Sequence, residues 1–378
     1  MKVTFRVDAS LTIGTGHVMR CLTLANVLRL RGHQCTFVCV QHAGNMITAI
    51  KMAGFQVHLL AARHGQYQIN EQEPNNYAQW LGCSQHEDAK QTKNILAFNN
   101  QPSLESLGMK PDWLVVDSYA LNQQWQNQFT GFGIKIFVID DLADRLHQCD
   151  LLLDQTFGRA ALDYRHLVPV KSEILAGVDY CLLRPEFLQH RRINNDVSRT
   201  GLQVNNKYQI LITLGGIDEH NVTERILTIF NQLSLLNTRF VVVLGVNSPW
   251  QARIKTLAVK LNIAVTVHVG VNNMAALMSQ CDFAIGAAGS TTWERCCVGL
   301  PSALLAIADN QEFALSVLAN EGIVAKFDLG TLEEDIKSFF YDKNKDEIIS
   351  TLTAHCKRLV DGAGCRRVVD KMESMHAL

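Results

Sequence analysis

The chain has 378 residues, of which 47% are hydrophobic and 19% charged, and its formal net charge is −1. A single hydrophobic core rarely grows beyond roughly 250–300 residues, so two domains are expected. The near-neutral charge excludes a protein that binds nucleic acid through a basic surplus, and apolar runs such as FVVVLGV are far shorter than the roughly 20 residues of a membrane-spanning helix. We therefore expect no nucleic-acid partner and no membrane insertion.

Eleven cysteines are scattered along the chain, and no two form a CxxC pair. This spacing disfavours zinc-ribbon and thioredoxin-like sites. Most of the thiols lie in apolar segments such as CTFVCV, where free cysteine behaves as a small hydrophobic residue. The pattern is typical of a reducing compartment, and the alternating N-terminus MKVTFRVDAS does not resemble a signal peptide. We expect a cytoplasmic protein.

The first half of the chain alternates between predicted strands and helices. Val3, Phe5 and Val7 alternate with polar residues and predict a strand. Apolar residues at helical spacing from Val18 onward predict a helix that ends before Gly32. Further strands are predicted at CTFVCV, FQVHLLA, DWLVVDSY, KIFVIDD and CDLLLDQT. Strands with apolar centres, separated by helices, favour a parallel sheet that is covered on both faces.

A polar segment at residues 191–207 predicts a linker, because it is rich in Asn and charged residues and lacks periodicity. A second alternating series follows, with strands at YQILITLGG, RFVVVLGV, AVTVHVG, CDFAIGAAG and SALLAI. We therefore predict an α/β protein with two Rossmann-like, doubly wound parallel-sheet domains facing a central cleft. Residues 1–190 would form a sugar-binding catalytic domain, 208–350 a nucleotide-binding domain and 351–378 a helical segment.

A glycine-rich turn joins the first predicted strand to the first predicted helix. Gly14 and Gly16 give a ligand room at the carboxyl edge of the sheet, although the dinucleotide fingerprint GxGxxG fails at Met19. His17 lies near the start of the helix, where the positive end of the helix dipole disfavours imidazolium and keeps a neutral base available. We predict that His17 is a catalytic base, the alternative being a helix cap. Asp8 either orients its imidazole or caps the turn.

A second glycine-rich turn, in AIGAAGSTTWERCCVGLP, precedes a helix in the second half of the chain. The backbone N–H groups of Gly289, Ser290 and Thr291 predict an anion site suited to a diphosphate, and Glu294 can accept hydrogen bonds from ribose hydroxyls. The turn that contains Gly215 and Gly216 follows the first strand of this domain and could close over the phosphates. Helix capping alone also explains the serine and threonine.

Three further polar residues follow predicted strands. Tyr119 is expected at the same sheet edge as His17, with a packing role as the alternative. Asn310 and Gln311 precede a helix and can hydrogen-bond sugar hydroxyls or an acetamido group, with helix capping as the alternative. The sequence contains no DxD and no His or Cys cluster with ligand spacing, so we expect a site without a metal or other cofactor.

The segment RVDASLTIGTGHVMRCLTLA resembles the N-terminal signature of the PseG family. Members of this family are UDP-sugar hydrolases of pseudaminic acid biosynthesis and are related to the MurG-type GT-B glycosyltransferases. FVIDDLADRLHQCDLLLDQ, LLRPEF, ITLGGID and GAAGSTTWERCCVGLP also look like that family, so the resemblance extends over nearly the whole chain. The stretch Tyr67–Asn94 departs from it, because it is longer and more polar than in shorter members.

The resemblance implies a GT-B fold and the metal-independent hydrolysis of UDP-2,4-diacetamido-2,4,6-trideoxy-β-L-altropyranose to UDP and the free sugar. The family's catalytic histidine matches His17, its active-site tyrosine Tyr119 and its asparagine Asn310. Glu294 matches the glutamate that holds ribose in the related transferases. We hypothesise that His17 deprotonates a water that attacks the anomeric carbon with inversion.

Three other functions fit parts of the sequence. A glycosyltransferase would use an acceptor other than water, and a nucleotide-sugar sensor would bind without turnover. An oxidoreductase would need the missing GxGxxG. For the hydrolase, the expected partner is a small UDP-sugar, and we expect the protein to be a monomer.

Overall fold

The computed structural model describes residues 1–61, 77–96, 110–191, 208–233 and 235–377. The chain forms two compact units. The first contains Met1–Leu182 and Gly364–Leu378, and the second contains Leu183–Ala363. Most of the predicted linker, residues 192–207, lies outside the described residues.

The first unit is built on a parallel sheet, as the sequence predicts. Within the described residues the sheet has seven strands in the order β3-β2-β1-β4-β5-β6-β7. The strands are β1 (Lys2–Val7), β2 (Gln34–Val40), β3 (Gln56–Leu60), β4 (Trp113–Asp117), β5 (Lys135–Ile139), β6 (Leu151–Asp154) and β7 (Glu173–Ala176). The sequence reading missed β7, a short strand with one exposed end.

Helices lie in the connections between several of these strands. They are α1 (Gly16–Leu30), α2 (Ile47–Met52), α3 (Gln85–Ile95) and α4 (Gln123–Gln126), and α5 (Pro185–Gln189) opens the second unit. Gly32 follows α1 with a φ of +83°, which only glycine adopts without strain, and so the predicted end of this helix is confirmed.

The stretch Tyr67–Asn94 is partly described, since residues 62–76 lie outside the described part. The remainder contains a 3₁₀ turn at Ala78–Leu81 and most of α3. Hydrophobic periodicity does not reveal α3, because its buried side chains include Gln85, Asp88 and Thr92. The Asp88 carboxylate receives two hydrogen bonds from the Arg6 guanidinium of β1, at 3.1 and 2.6 Å. A buried ion pair therefore fastens this helix to the sheet.

The last helix belongs to the first unit. In α13 (Gly364–His376), Val368, Val369 and Met372 join the same hydrophobic core as α1. Helix α12 (Lys345–Leu359) belongs to the second unit. The predicted segment 351–378 is thus divided between the two units, because each helix has an apolar face that packs on a different core.

The second unit contains another parallel sheet. Among its described residues there are six strands in the order β10-β9-β8-β11-β12-β13. They are β8 (Tyr208–Thr213), β9 (Thr238–Leu244), β10 (Ala264–Val269), β11 (Phe283–Ala287), β12 (Ser302–Leu305) and β13 (Ala325–Lys326). The remaining helices are α6 (Val222–Leu233), α7 (Gln251–Lys260), α8 (Met274–Gln280), α9 (Thr291–Val298), α10 (Glu312–Asn320) and α11 (Leu332–Tyr341).

The strand order decides which turns become neighbours. In the first unit β1 lies next to β4 and β4 next to β5, so the turns after these strands share one sheet edge. In the second unit β8, β11 and β12 are adjacent in the same way. All turns with predicted site residues therefore lie at the carboxyl edge of their own sheet, where open α/β sheets bind ligands.

All eleven cysteines are free thiols. Among the described residues, no helix is both long and apolar enough to span a bilayer.

Candidate functional site

The loop before α1 is a compact turn that places His17 on the first turn of the helix. The Gly14 N–H donates to the Ser10 carbonyl at 2.9 Å, and Gly14 has a φ of +79°. The Ser10 hydroxyl accepts from the Ile13 N–H at 2.9 Å. Helix α1 begins at Gly16 without a side-chain cap, so the dipole of α1 acts on His17 without a capping side chain in between.

His17 is held by Asp117 at the end of β4. Its Nδ1 lies 2.6 Å from Asp117 Oδ1, and both side chains are buried. Two lone pairs would repel at this distance, so Nδ1 carries the proton and donates it to the carboxylate. In the neutral imidazole Nε2 is then the basic nitrogen. The pair has the arrangement of a general base with an orienting carboxylate.

Arg20, one helical turn after His17, fixes the same carboxylate. Its Nε donates to Asp117 Oδ2 at 2.7 Å and its Nη2 to Asp117 Oδ1 at 2.8 Å. Burial alone would raise the pKa of Asp117, but the charges and hydrogen bonds of Arg20 and His17 hold it well below its usual range. The carboxylate therefore stays ionised and can stabilise a protonated His17.

The Arg20 guanidinium also joins Asp117 to the turn after β5. Its Nη1 donates to Asp141 Oδ2 at 2.6 Å. Its Nη2 lies 3.3 Å from His17 Nδ1. Four charged or basic groups from α1, β4 and the turn after β5 thus form one connected network.

Tyr119 lies against His17, as the sequence predicts. The two rings are 4.7 Å apart between centroids and nearly perpendicular, at 83°. The Tyr119 hydroxyl donates to Asp141 Oδ2 at 2.8 Å. Burial and the neighbouring Asp141 charge raise the pKa of Tyr119 well above its ordinary value, so the phenol stays neutral.

Two aromatic side chains that the sequence reading missed complete this surface. Trp80 stacks on Tyr119 with a centroid distance of 5.7 Å and a 29° interplanar angle, and Tyr77 lies 4.6 Å from Trp80. Both are half-buried. We call Tyr77, Trp80 and Tyr119 the aromatic cluster. Its position beside His17 could not be read from the polar stretch that contains the first two residues.

Asp8 does not orient the imidazole. Its Oδ2 accepts from Arg6 at 2.6 Å and its Oδ1 from the Val40 N–H at 2.7 Å. The orienting position belongs to Asp117, because β4 adjoins β1 and ends on the side where α1 begins. Two features of the sequence could have identified this network. One is the triplet DSY, which begins at Asp117 at the end of a predicted strand, and the other is Arg20, three residues after His17.

A second acidic cluster is buried behind the turns after β5 and β6. The Tyr164 hydroxyl lies 2.8 Å from Asp140 Oδ2 and 2.8 Å from Asp154 Oδ2. One phenolic hydrogen cannot serve both carboxylates. Burial would raise the pKa of Asp140, but Arg145 Nη2, 2.6 Å from Asp140 Oδ1, holds it well below its usual range, so the other carboxyl is the one that binds a proton. Burial and the charge of Asp141 raise the pKa of Asp154 to about 7, which identifies it as that group.

In the second unit, α9 begins directly after the turn at Gly289. Ser290 occupies the N-cap position, but its side chain makes no capping hydrogen bond. The N–H groups of Thr292 and Trp293 donate to the carbonyls of Gly289 and Ser290, at 2.9 and 3.2 Å. The N–H groups before them, at the very start of the helix, have no acceptor within the helix and can bind an anion. Thr291, the first residue of α9, is half-buried.

Glu294 lies one turn into α9 and keeps most of its bonding capacity. Within the described residues its carboxylate accepts no hydrogen bond, and an Arg184 nitrogen lies 3.9 Å away. Burial raises the pKa of Glu294 to about 7, although the charges of Arg184 and Arg295 lower it. A pair of ribose hydroxyls would supply the hydrogen bonds that this carboxylate lacks.

The turn after β8 approaches the neighbouring strand closely. Gly215 has a φ of +81°. A Cβ on Gly245, which follows β9, would lie 2.1 Å from the Gly216 carbonyl oxygen, so this contact requires glycine at 245. The Gly215–Gly216 turn therefore lies at the same sheet edge as Gly289.

The turn after β12 reaches the start of α9 through Gln311. Its Oε1 accepts from the Ile307 N–H at 3.0 Å, and its Nε2 would be 4.0 Å from a Cβ on Gly289. Asn310 belongs to the 3₁₀ turn Asp309–Gln311, and its side chain lies outside the described atoms. The structure thus brings Gln311 to the predicted anion site, and the role of Asn310 stays a prediction.

Across the described ranges, no group of three or more His, Cys, Asp or Glu side chains has a spacing that could hold a metal ion.

The chain is similar to known proteins over most of its length, although no family model matches it. It is 24% identical over 328 residues to the UDP-2,4-diacetamido-2,4,6-trideoxy-beta-L-altropyranose hydrolase of Campylobacter jejuni, covering 86% of this chain and 99% of that protein. A Helicobacter pylori protein named as a pseudaminic acid cytidylyltransferase and hydrolase of the same UDP-sugar is 27% identical over 260 residues, which is 67% of this chain and 44% of that protein.

The fold has counterparts among solved structures. MurG of Acinetobacter baumannii superposes with a TM-score of 0.63 at 15% identity, covering 99% of both chains. Together with the two parallel sheets and their helices, this similarity shows that the chain has the GT-B fold that the resemblance implied.

Proposed function

We propose that this protein hydrolyses UDP-2,4-diacetamido-2,4,6-trideoxy-β-L-altropyranose to UDP and the free 2,4-diacetamido-2,4,6-trideoxy sugar. The observation that carries the proposal is the His17–Asp117 pair, with a 2.6 Å contact that leaves Nε2 as the basic nitrogen. Similarity over 86% of the chain to a hydrolase of this UDP-sugar supports the substrate.

In the proposed reaction the first unit supplies the base. A water oxygen bonds to the anomeric carbon from the face opposite UDP, and its proton passes to His17 Nε2. The bond between the anomeric carbon and the diphosphate oxygen breaks, so the configuration inverts and UDP leaves with the electron pair. Asp117 stabilises the imidazolium that forms, a contribution typical of general-base catalysis.

The second unit supplies the nucleotide site in this proposal. The free N–H groups at the start of α9 bind the diphosphate and stabilise its charge as it leaves. The Glu294 carboxylate accepts the two ribose hydroxyls. Gln311, beside Gly289, donates from its amide to the diphosphate or to an acetamido carbonyl.

The test is turnover with the UDP-sugar alone, followed by NMR of the anomeric proton. We expect His17→Asn to lower kcat about 10²–10⁴-fold, because the variant loses the base but keeps a polar side chain of similar size. The first product should carry the inverted anomeric configuration. Near-normal turnover by His17→Asn would show that His17 is not the base.

The GT-B neighbours favour a second candidate, a glycosyltransferase that uses a sugar or lipid acceptor. Stoichiometric release of UDP and free sugar without an acceptor supports the hydrolase. Release that begins only after an acceptor is added supports the transferase. Binding without turnover in either assay would indicate a sensor.

A further inference from the structure

Arg295 places a buried positive charge beneath the first turn of α9. The residue is 1% exposed. Its Nη2 donates to the Ala287 carbonyl at 2.8 Å and to Thr292 Oγ1 at 3.2 Å, and its Nη1 donates to Thr291 Oγ1 at 3.3 Å. The guanidinium therefore lies between the carboxyl end of β11 and the N-terminus of the helix.

The sheet makes room for this side chain with a glycine. A Cβ on Gly286 in β11 would lie 2.5 Å from Arg295 Nη1 and 2.9 Å from the Thr213 carbonyl oxygen. Both distances are shorter than ordinary contacts, so any other residue at 286 would displace the guanidinium. The position of the Arg295 guanidinium therefore depends on Gly286 in the strand as well as on the helix.

The guanidinium forms no ion pair within the part of the chain that the structure describes. Its Nε is buried without a hydrogen-bond acceptor. Glu294 precedes it in sequence and acts on it through its charge without a direct contact, because adjacent residues on a helix point in different directions. Burial lowers the pKa of Arg295 to about 10, so the guanidinium is still protonated at neutral pH. A buried cation that forms no ion pair is unfavourable for folding alone, and an anionic ligand at contact distance would stabilise it.

The contact with Thr291 leaves the Thr291 hydroxyl hydrogen as a further donor at the N-terminus of the helix. Because Thr291 Oγ1 accepts a hydrogen bond from Arg295, its own hydrogen is left for another acceptor. This hydroxyl, the open N–H groups of α9 and the helix dipole all favour negative charge at the same place.

We propose that Arg295 is a positioning residue that supplies the counter-charge for the diphosphate of a bound nucleoside diphosphate, acting through Thr291 and the N-terminus of α9. The inference rests on the proposed function in taking UDP as the nucleotide. It adds a specific source of diphosphate affinity, separate from the contact between Glu294 and ribose.

The test compares the affinities of UDP and uridine for the full-length protein by calorimetry. We expect Arg295→Met to weaken UDP binding about tenfold and to leave uridine binding unchanged, since only UDP carries the diphosphate. Arg295→Lys should recover part of the loss, because it restores the charge without the planar fork. Arg239→Met is the matched control, as it removes the same charge at the amino end of β9, the opposite edge of this sheet.

A general loss of structure would weaken both ligands, so the ratio of the two affinities separates a diphosphate role from a structural one. Thermal unfolding shows whether Arg295→Met is folded. If it is not, Arg295→Lys and Thr291→Val carry the test, and both should lower the UDP-to-uridine affinity ratio. An unchanged ratio in the folded variants would overturn the inference. The hydrolase proposal is judged separately, by product release from the UDP-sugar in the wild-type protein.

Discussion

The two units hold the charged groups of their predicted site residues in different ways. In the first unit His17, Arg20, Asp117 and Asp141 bond to one another at 2.6–2.8 Å without any ligand. In the second unit Glu294 has one distant ion pair. Arg295 forms no ion pair among the described residues. The first unit is therefore organised before substrate arrives, whereas the second has bonding capacity that a ligand would fill.

This difference agrees with the chemistry assigned to each half. A general base must be aimed and its conjugate acid stabilised, which a closed network of paired charges achieves. A binding site gains affinity when the ligand satisfies groups that are otherwise underbonded. The next three predictions test the contrast, from the largest effect to the smallest.

Breaking the network in the first unit should have the largest effect. We expect Asp117→Asn to lower kcat about 10²–10⁴-fold, since the amide neither stabilises imidazolium nor fixes the tautomer. It should also cost about 3–5 kcal/mol of unfolding free energy, because Arg20 loses a buried partner. Steady-state kinetics and chemical denaturation measure the two effects.

Asp8→Asn is the matched control for Asp117→Asn. Asp8 is an equally buried carboxylate bonded to an arginine at the same sheet edge, but it does not contact His17. We expect lower stability with kcat nearly unchanged. A loss of kcat as large as that of Asp117→Asn would show that Asp8 takes part in catalysis.

Removing the charge from Glu294 should have a smaller effect that appears in binding. Glu294→Gln should raise KM about tenfold with little change in kcat, because ribose contacts are the same in the ground and transition states. With a pKa of about 7, Glu294 gains a proton as the pH falls, so wild-type affinity should decline below pH 7.

The pH effect can be measured by titrating the UDP-sugar into His17→Asn protein, which binds without rapid turnover. Glu294→Gln in that background should give an affinity independent of pH from 6 to 8. Glu333→Gln on the exposed face of α11 is the control and should leave both KM and the pH dependence unchanged. A drop in kcat for Glu294→Gln would place this residue in the chemistry.

The smallest effect concerns stability and the paired carboxyls of the first unit. The pKa of Asp154 is raised to about 7 in the folded protein, above the value near 3.9 of an unfolded aspartate. The folded state therefore binds more protons between these values, and the unfolding free energy falls as pH rises from about 4 to 7. Asp154→Asn should reduce this slope, measured by urea denaturation at several pH values. An unchanged slope would mean that another group binds the proton.

Much of the fold could be predicted from the sequence because its signals are local. Strands such as CTFVCV and DWLVVDSY are apolar along their whole length, as strands of covered parallel sheets are. The signals for the turn glycines and for the helix that ends before Gly32 are equally local. Elements with weak local signals were missed, among them β7 and α3. The buried face of α3 is polar and is stabilised by the ion pair between Asp88 and Arg6.

The candidate site residues likewise fall into those that a local motif predicts and those that only the fold brings together. His17, Gly289 and Glu294 occur in short motifs whose chemistry follows from their position at the start of a helix. Asp117, Asp141 and Trp80 occur in no motif with His17, because each lies more than 60 residues away in sequence. Strand order brings β1, β4 and β5 together, and only this arrangement gives the base its orienting carboxylate.

The sequence by itself therefore determined the two doubly wound sheets, the free thiols and the positions of the glycine turns, since each depends on residues close together in the chain. The tertiary structure decided which acid holds His17, which aromatic rings lie beside it and which cation lies under α9. These pairings depend on strand adjacency and on space left by a glycine such as Gly286, and no local pattern encodes either.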